Sequence, residues 1–278
     1  MNRNSDRSGA RESSDVPRDV IKPLEFVAPT EFVELPSRGK GYPEGHPLRG
    51  KEVIEIRFMT AKDEDILSSE TLIKKGLAIE RFLQNIIVDK GIKSESVLSG
   101  DRNAILIAAR KSGFGSSYET KVSCPSCGET QDIVFDLDQP EIEEAVVDPE
   151  LNMSETGRGT FLVEAPLSKF NIEIRQLTGR EEMMIAEATR ARKKKKQLES
   201  LVSDQLKLMI VSVEGHEDRN TINMYADNIP TQDTRHLRKA FKAITPNVRV
   251  TEYFECASCS HEQELEVPFG ADFFWPDR

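Results

Sequence analysis

The chain is 278 residues long and carries 38 Lys+Arg against 48 Asp+Glu, a formal net charge of −10. At roughly 150 residues per domain this length allows about two units, and the acidic balance counts against non-specific nucleic-acid binding, which runs on phosphate neutralisation. The longest purely apolar run is the six residues Ala104 to Ala109, against the roughly 20 that a membrane-spanning helix needs. The N-terminus lacks the apolar stretch of a secretory signal, and four cysteines in a chain of this size do not make a disulfide framework. The expectation is a cytoplasmic protein of a reducing compartment with no membrane segment.

Residues 1–24 are rich in Ser, Arg and Asp with almost nothing apolar. Such a segment cannot bury enough surface to offset its ordering entropy, so a flexible N-terminal arm is expected. The folded part is expected to begin near Phe26 to Glu34. A β-run at Val53 to Phe58 leads to a helix capped by Thr60, with Asp63 in the weaker version of a capping box, and helical pattern to about Val88. Another helix begins at Asp101 and is stopped by Gly113. Ile133, Phe135 and Leu137 then alternate as a half-buried strand requires.

The same series returns. Glu55-Ile56-Arg57 and Thr60 reappear as Glu173-Ile174-Arg175 and Thr178, 118 positions later, and Val33-Glu34-Leu35-Pro36 is echoed by Val163-Glu164-Ala165-Pro166. Thr178 with Glu181 is the full capping box, with helical pattern to about Val213. From Asp101 onward the spacing is 132: Asp101 meets Asp233, Ile105 meets Leu237, Cys124 meets Cys256 and Phe135 meets Val267. Leu237, Ala240, Phe241 and Ile244 form one apolar helix face, ended by Pro246. Leu265, Val267 and Phe269 alternate in turn. The expected class is α+β, built as two tandem pseudo-symmetric α+β repeats, residues 25–150 and 151–278, the second ending in an aromatic tail.

All four cysteines fall in two Cys-x-x-Cys pairs, Cys124/Cys127 and Cys256/Cys259, each between strand patterns. Two intervening residues let both thiolates face one side of a tight turn, half of a tetrahedral site, and two such knuckles complete the four-thiolate shell of a structural Zn²⁺. The 128 residues between Cys127 and Cys256 far exceed the usual 15–20 or so of a zinc ribbon. Repeats that pair face to face would bring the two halves together as a split zinc-ribbon-like site, with one zinc per chain. A closed shell leaves no open position, so the chemistry expected is structural and not catalytic. A redox Cys-x-x-Cys belongs at a helix N-terminus, which these positions do not offer; inert thiols are the third reading. His261 follows closely, but four cysteines already fill the shell.

No phosphate-binding loop, nucleophile elbow or zinc-protease motif is present, and His46, His216, His236 and His261 are scattered. No enzymatic activity is expected. The Gly- and Pro-rich stretch Ser37 to Pro47 reads as a docking loop or a connector. Arg190 and Arg192 to Lys196 place six basic residues within seven, a solvated helix or a contact for an acidic partner or nucleic acid. Phe269 to Pro276 concentrates aromatics around the single Trp275, a tail folded back on its own core or docked into a partner.

Leu35-Pro36-Ser37-Arg38-Gly39, Tyr42-Pro43-Glu44-Gly45, Met59 to Leu67, Ile73-Lys74-Lys75-Gly76, Gly100 to Ala104 and Cys124 to Gly128 together resemble the baseplate hub proteins of T-even-type contractile-tailed bacteriophages. The resemblance covers residues 30 to 140 well and the second half more weakly. It implies a non-enzymatic structural or assembly protein of the virion tail baseplate, present in the host cytoplasm during assembly. The implied partners are other hub subunits and the tape-measure terminus. The zinc expectation rests on the cysteines and not on this resemblance. A zinc-ribbon nucleic-acid-binding protein is the alternative, opposed by the acidic balance and by the absence of aromatics interleaved with the lysine run. A thiol oxidoreductase is the third.

Overall fold

The computed structural model describes residues 28–198, 200–267, 269, 273 and 274; the arm expected at residues 1–24 and Trp275 lie outside them. The first elements are β1 (Thr30–Glu34), β2 (Val53–Arg57), α1 (Ala61–Ser68), α2 (Glu70–Lys75), α3 (Ala78–Ile86), α4 (Ser99–Phe114), β3 (Ser117–Ser123), β4 (Thr130–Asp136) and β5 (Glu141–Glu143). Then come β6 (Met153–Glu155), β7 (Thr160–Glu164), β8 (Asn171–Arg175), α5 (Gly179–Lys194), α6 (Leu201–Met209), β9 (Ile210–Val213), α7 (Arg219–Asn228), α8 (Thr231–Ile244), β10 (Asn247–Arg249), β11 (Thr251–Glu255) and β12 (Glu262–Glu266). The class is α+β. β6 to β9 form one antiparallel sheet, and β1–β2, β3–β4, β5–β10 and β11–β12 are antiparallel pairs.

Both strand-to-helix junctions use one device. Asp63 accepts from the Thr60 N–H and O–H at 2.9 and 2.7 Å and takes both arms of Arg57 at 2.6 and 2.9 Å. Glu181 accepts from the Thr178 N–H at 2.9 Å and pairs with Arg175 at 2.9 Å. Each carboxylate thereby satisfies an orphan N–H of its helix start and neutralises the last charge of the preceding strand.

Three local departures from the sequence pattern have clear causes. The helix expected to run to Val88 is three helices, because Gly76 takes a left-handed conformation (φ 71°) that ends α2, while Ile87 pairs with Ile56 of β2. The run to Val213 ends as a strand: three of the four residues Ile-Val-Ser-Val are β-branched, and the segment joins the sheet against Ile172 and Glu173. Gly113 does not stop α4, which continues to Phe114 and breaks at Gly115 (φ 86°).

The apolar residues gather in two cores. One is made wholly within residues 153–244, from Phe161, Val163, Ile172 and Ile174 of the sheet against Leu206, Ile222, Leu237 and Ile244. The other takes Ile54, Phe82, Ile105, Tyr118 and Phe135, and then, from far along the chain, Val248, Phe254, Val267, Phe273 and Phe274. Phe273 stacks edge-on to Tyr118 at 5.0 Å and Phe274 to Phe82 at 5.1 Å. These two tail aromatics are thus folded back into a core of this chain.

Helix α4 is the axis of that core and is buried along most of its length, with its apolar middle Ala104 to Ile107 and Ala109 in the core and the buried Asp101, Arg102 and Arg110 toward its ends. It also seats the second unit: the Ser99 N–H donates to the Leu177 carbonyl at 3.1 Å, and Arg102 pairs with Glu182 at 2.6 Å. The Pro246 carbonyl oxygen lies 1.9 Å from where a Cβ on Gly100 would stand, so no side chain fits there.

Two stability measurements test this reading. Gly100→Ala is expected to cost about 1–3 kcal/mol in urea unfolding, since it must push backbone apart. Burial raises Asp63 and Glu181, but hydrogen bonds from Arg57, Thr60 and Asn85 to the first, and from Thr178 with the Arg175 charge to the second, more than offset it and leave both below their ordinary values. A carboxyl with a lowered folded pKa adds stability that is present above its unfolded value and lost as pH falls through the folded one. Stability should therefore fall as pH drops below the ordinary 3.8 and 4.5. Asp63→Asn with Glu181→Gln should flatten that acid slope and cost about 1–3 kcal/mol at neutral pH.

Candidate metal centre

The turn between β3 and β4 holds Cys124 and Cys127; the turn between β11 and β12 holds Cys256 and Cys259. Their backbones are built alike. The Cys124 N–H donates to the Glu129 carbonyl and the Gly128 N–H returns to the Cys124 carbonyl, at 2.7 and 2.9 Å. The Cys256 N–H donates to His261 and the Ser260 N–H returns to Cys256, both at 2.9 Å. The residue closing each turn is left-handed, Gly128 at φ 78° and Ser260 at φ 52°. Each turn thus curls its two thiols to one side.

The two knuckles meet. Cys124 Sγ lies 3.6 Å from Cys259 Sγ, and Cys127 Sγ lies 3.6 Å from Cys256 Sγ. All four sulfurs are within 4.8 Å of one another. In each close pair one cysteine is buried, Cys124 or Cys256, and its partner from the other knuckle is exposed. Zn–S bonds of about 2.3 Å set sulfur–sulfur edges of about 3.8 Å in a tetrahedron, so the observed spacing suits a four-thiolate shell. The cluster could hold one metal ion. The clustered groups are the four cysteines singled out in the sequence, and the His261 ring is not among them.

The surroundings move two of the thiols in opposite directions. Burial raises the Cys124 thiol, but the Cys127 and Ser126 N–H groups, with Cys259 and Cys256, bring it down to about 6. Cys127, lowered by the Glu129 N–H, is nonetheless pushed up to about 12 because it serves as donor to Cys259 and is partly desolvated.

Gln131 fastens the junction, and sequence reading did not single it out for this. Its amide N–H₂ donates to the Glu255 carbonyl at 2.8 Å and its oxygen accepts the Ala257 N–H at 3.0 Å. From β4 it therefore grips the backbone on either side of Cys256. Its sequence signal was only its place in the matched knuckles.

Other residues marked in the sequence lie elsewhere. The Ser37 to Pro47 loop is tied down: the Ser37 N–H and O–H donate to the buried Asp101 carboxylate at 2.9 and 2.6 Å, and the Tyr42 hydroxyl does so at 2.7 Å. Burial pushes Asp101 upward, and hydrogen bonds from Ser37 and Tyr42 work against that rise. His46 stacks on Tyr42 at 4.4 Å; its Nδ1 accepts from the Leu48 N–H, which assigns the proton to Nε2 facing Ser96. In the basic run, Arg192 pairs with Asp204 and Arg190 donates to the Lys74 carbonyl, while Lys193 to Lys196 face solvent. His216, His236 and His261 do not converge with the cysteines.

Two substitutions probe the knuckles. Gln131→Ala should lower unfolding stability by about 1–3 kcal/mol, since it leaves the Ala257 N–H and the Glu255 carbonyl without this partner. Ser260→Gly should be neutral or slightly stabilising, whereas Gly128→Val should be destabilising, because a β-branched residue is strained at positive φ.

A family model described as T4 bacteriophage base plate protein matches residues 28–275. No curated protein and no solved structure matches significantly. Among the described residues no helix is long and apolar enough to cross a membrane.

Proposed function

The chain belongs to the T4 bacteriophage base plate protein family, and from that premise we propose that it is a zinc-stabilised, non-enzymatic structural or assembly protein of the baseplate hub in a contractile phage tail. Membership makes it a baseplate structural protein whose place is the virion tail baseplate and whose partners are other baseplate components. The finer reading names those partners as hub subunits and the tape-measure terminus, met in the host cytoplasm during assembly.

The observation that carries the zinc reading is the meeting of Cys124, Cys127, Cys256 and Cys259 within 4.8 Å. Four thiolates select a soft or borderline dication, and a closed tetrahedron of them is the usual structural zinc shell. The role we assign to the ion is mechanical. It fixes the β3–β4 and β11–β12 hairpins to each other, and with them the segment that returns to the first core.

We also propose that the fold is a tandem repeat, with its division near residue 150. Several matched devices support this. Asp101 at the start of α4 grips Ser37 just after Pro36, and Asp233 at the start of α8 accepts the Leu167 and Ser168 N–H groups at 2.7 and 3.0 Å, just after Pro166. The two capping carboxylates and the two knuckles are equivalent in the same sense. On this reading the β3–β4 and β11–β12 hairpins are equivalent, and β5 of the first half pairs with β10 of the second.

Metal analysis of the purified chain tests the proposal. About one zinc per chain is expected. Cys256→Ser should lose the metal and lower the melting temperature, and a strong chelator should destabilise the parent but not that variant. Metal-free protein as stable as the parent would refute the zinc role. Electron microscopy of the intact tail tests the other part, by density for this chain at the hub.

A further inference from the structure

Helix α8 carries a second face that its core role does not explain. Arg235, Arg238, Lys239 and Lys242 stand at i, i+3, i+4 and i+7, one stripe along the helix, opposite the buried Leu237, Ala240 and Ile244. All four are exposed, and among the described residues none has an ion-pair or hydrogen-bond partner on its side chain. They line a groove of about 600 Å³ between α8, α6 and the β5–β10 pair, with Phe241 among its walls. Arg249 at its side is already engaged, at 3.2 Å with Glu143 and 3.3 Å with Glu266. Five cations against two carboxylates therefore line one concavity of a chain whose net charge is −10. Four cations without partners on one face repel each other, and an acidic ligand in the groove would relieve that repulsion.

We infer that this groove docks an acidic segment of a partner protein through carboxylates set against Arg235, Arg238, Lys239 and Lys242. The stripe spans about 10 Å of helix, which suits two or three carboxylates on one face of a short segment. Each Arg can take a carboxylate through both arms of its guanidinium, and the half-buried Phe241 gives an apolar contact between them. A polyphosphate fits less well. Glu143 and Glu266 flank its path, the whole chain repels a polyanion, and the groove's lining includes one aromatic, the half-buried Phe241, where a run of bases needs successive stacking platforms. The lysines at the end of α5 lack this concavity.

The test is fluorescence anisotropy with the full chain and a labelled oligoglutamate peptide of about ten residues, read as salt rises from about 0.01 to 0.1 M and the screening length falls from about 30 to 10 Å. Binding that weakens with salt is expected. Arg238→Glu with Lys242→Glu should weaken it at least about tenfold, a loss of about 1.4 kcal/mol. Lys194→Glu with Lys195→Glu, the same charge change on the exposed end of α5, should change it less than about twofold, while melting temperatures confirm that both variants fold. No binding by the parent, or equal loss in the two variants, would overturn the proposal. Tighter binding of a single-stranded oligonucleotide of similar charge, lost with the α8 variant, would overturn it in favour of nucleic acid.

Discussion

Cys124 and Cys256 stand 132 positions apart, yet they and their knuckle partners place four sulfur atoms within 4.8 Å of one another. Closing a loop of that size costs entropy, though the cost grows only slowly with length. The return on it is large, because the segment that arrives with Cys256 also delivers Val248, Phe254, Val267, Phe273 and Phe274 into the first core. Removing that segment would uncover Phe82, Tyr118 and Phe135 together. The junction is therefore a condition of the first core and not an ornament on its surface.

The second core is assembled entirely inside the loop that the junction closes. Helix α4 keeps this inserted unit from swinging freely. Its first turn is hydrogen-bonded to Leu177, its Gly100 lies under the Pro246 carbonyl, and its Arg102 reaches Glu182. Asp101, one residue on, holds the Ser37 loop, and Arg49 from that loop donates to the Gly157 carbonyl of the second unit at 2.9 Å. With such bracing neither unit can rotate against the other without breaking polar contacts at Ser99, Arg102 and Arg49.

Much of this architecture could be read from residue patterns whose cause is local. Thr60/Asp63 and Thr178/Glu181 announce helix starts because a cap needs those side chains at that spacing, and Ile133 and Phe135 mark the buried face of β4. The four cysteines were legible as a set because their chemistry leaves few other uses. What local pattern could not carry was decided at long range. Ile210 to Val213 reads as the end of a helical pattern until β8 offers an edge to pair with. Phe273 and Phe274 of the aromatic tail could fold back or reach outward until Tyr118 and Phe82 receive them. The α8 stripe was hidden for a different reason: Arg235, Arg238, Lys239 and Lys242 interleave with the apolar face in sequence, whereas the contiguous run at Lys193 to Lys196 is conspicuous but faces open solvent.

The central claim is that one metal ion, held by both knuckles at once, joins segments distant in the chain. X-ray absorption at the zinc edge of the purified protein addresses this directly. The account predicts a first shell of four sulfur atoms at about 2.3 Å with no nitrogen or oxygen neighbour. A shell of two sulfurs completed by lighter atoms would mean that each knuckle acts alone and would contradict it.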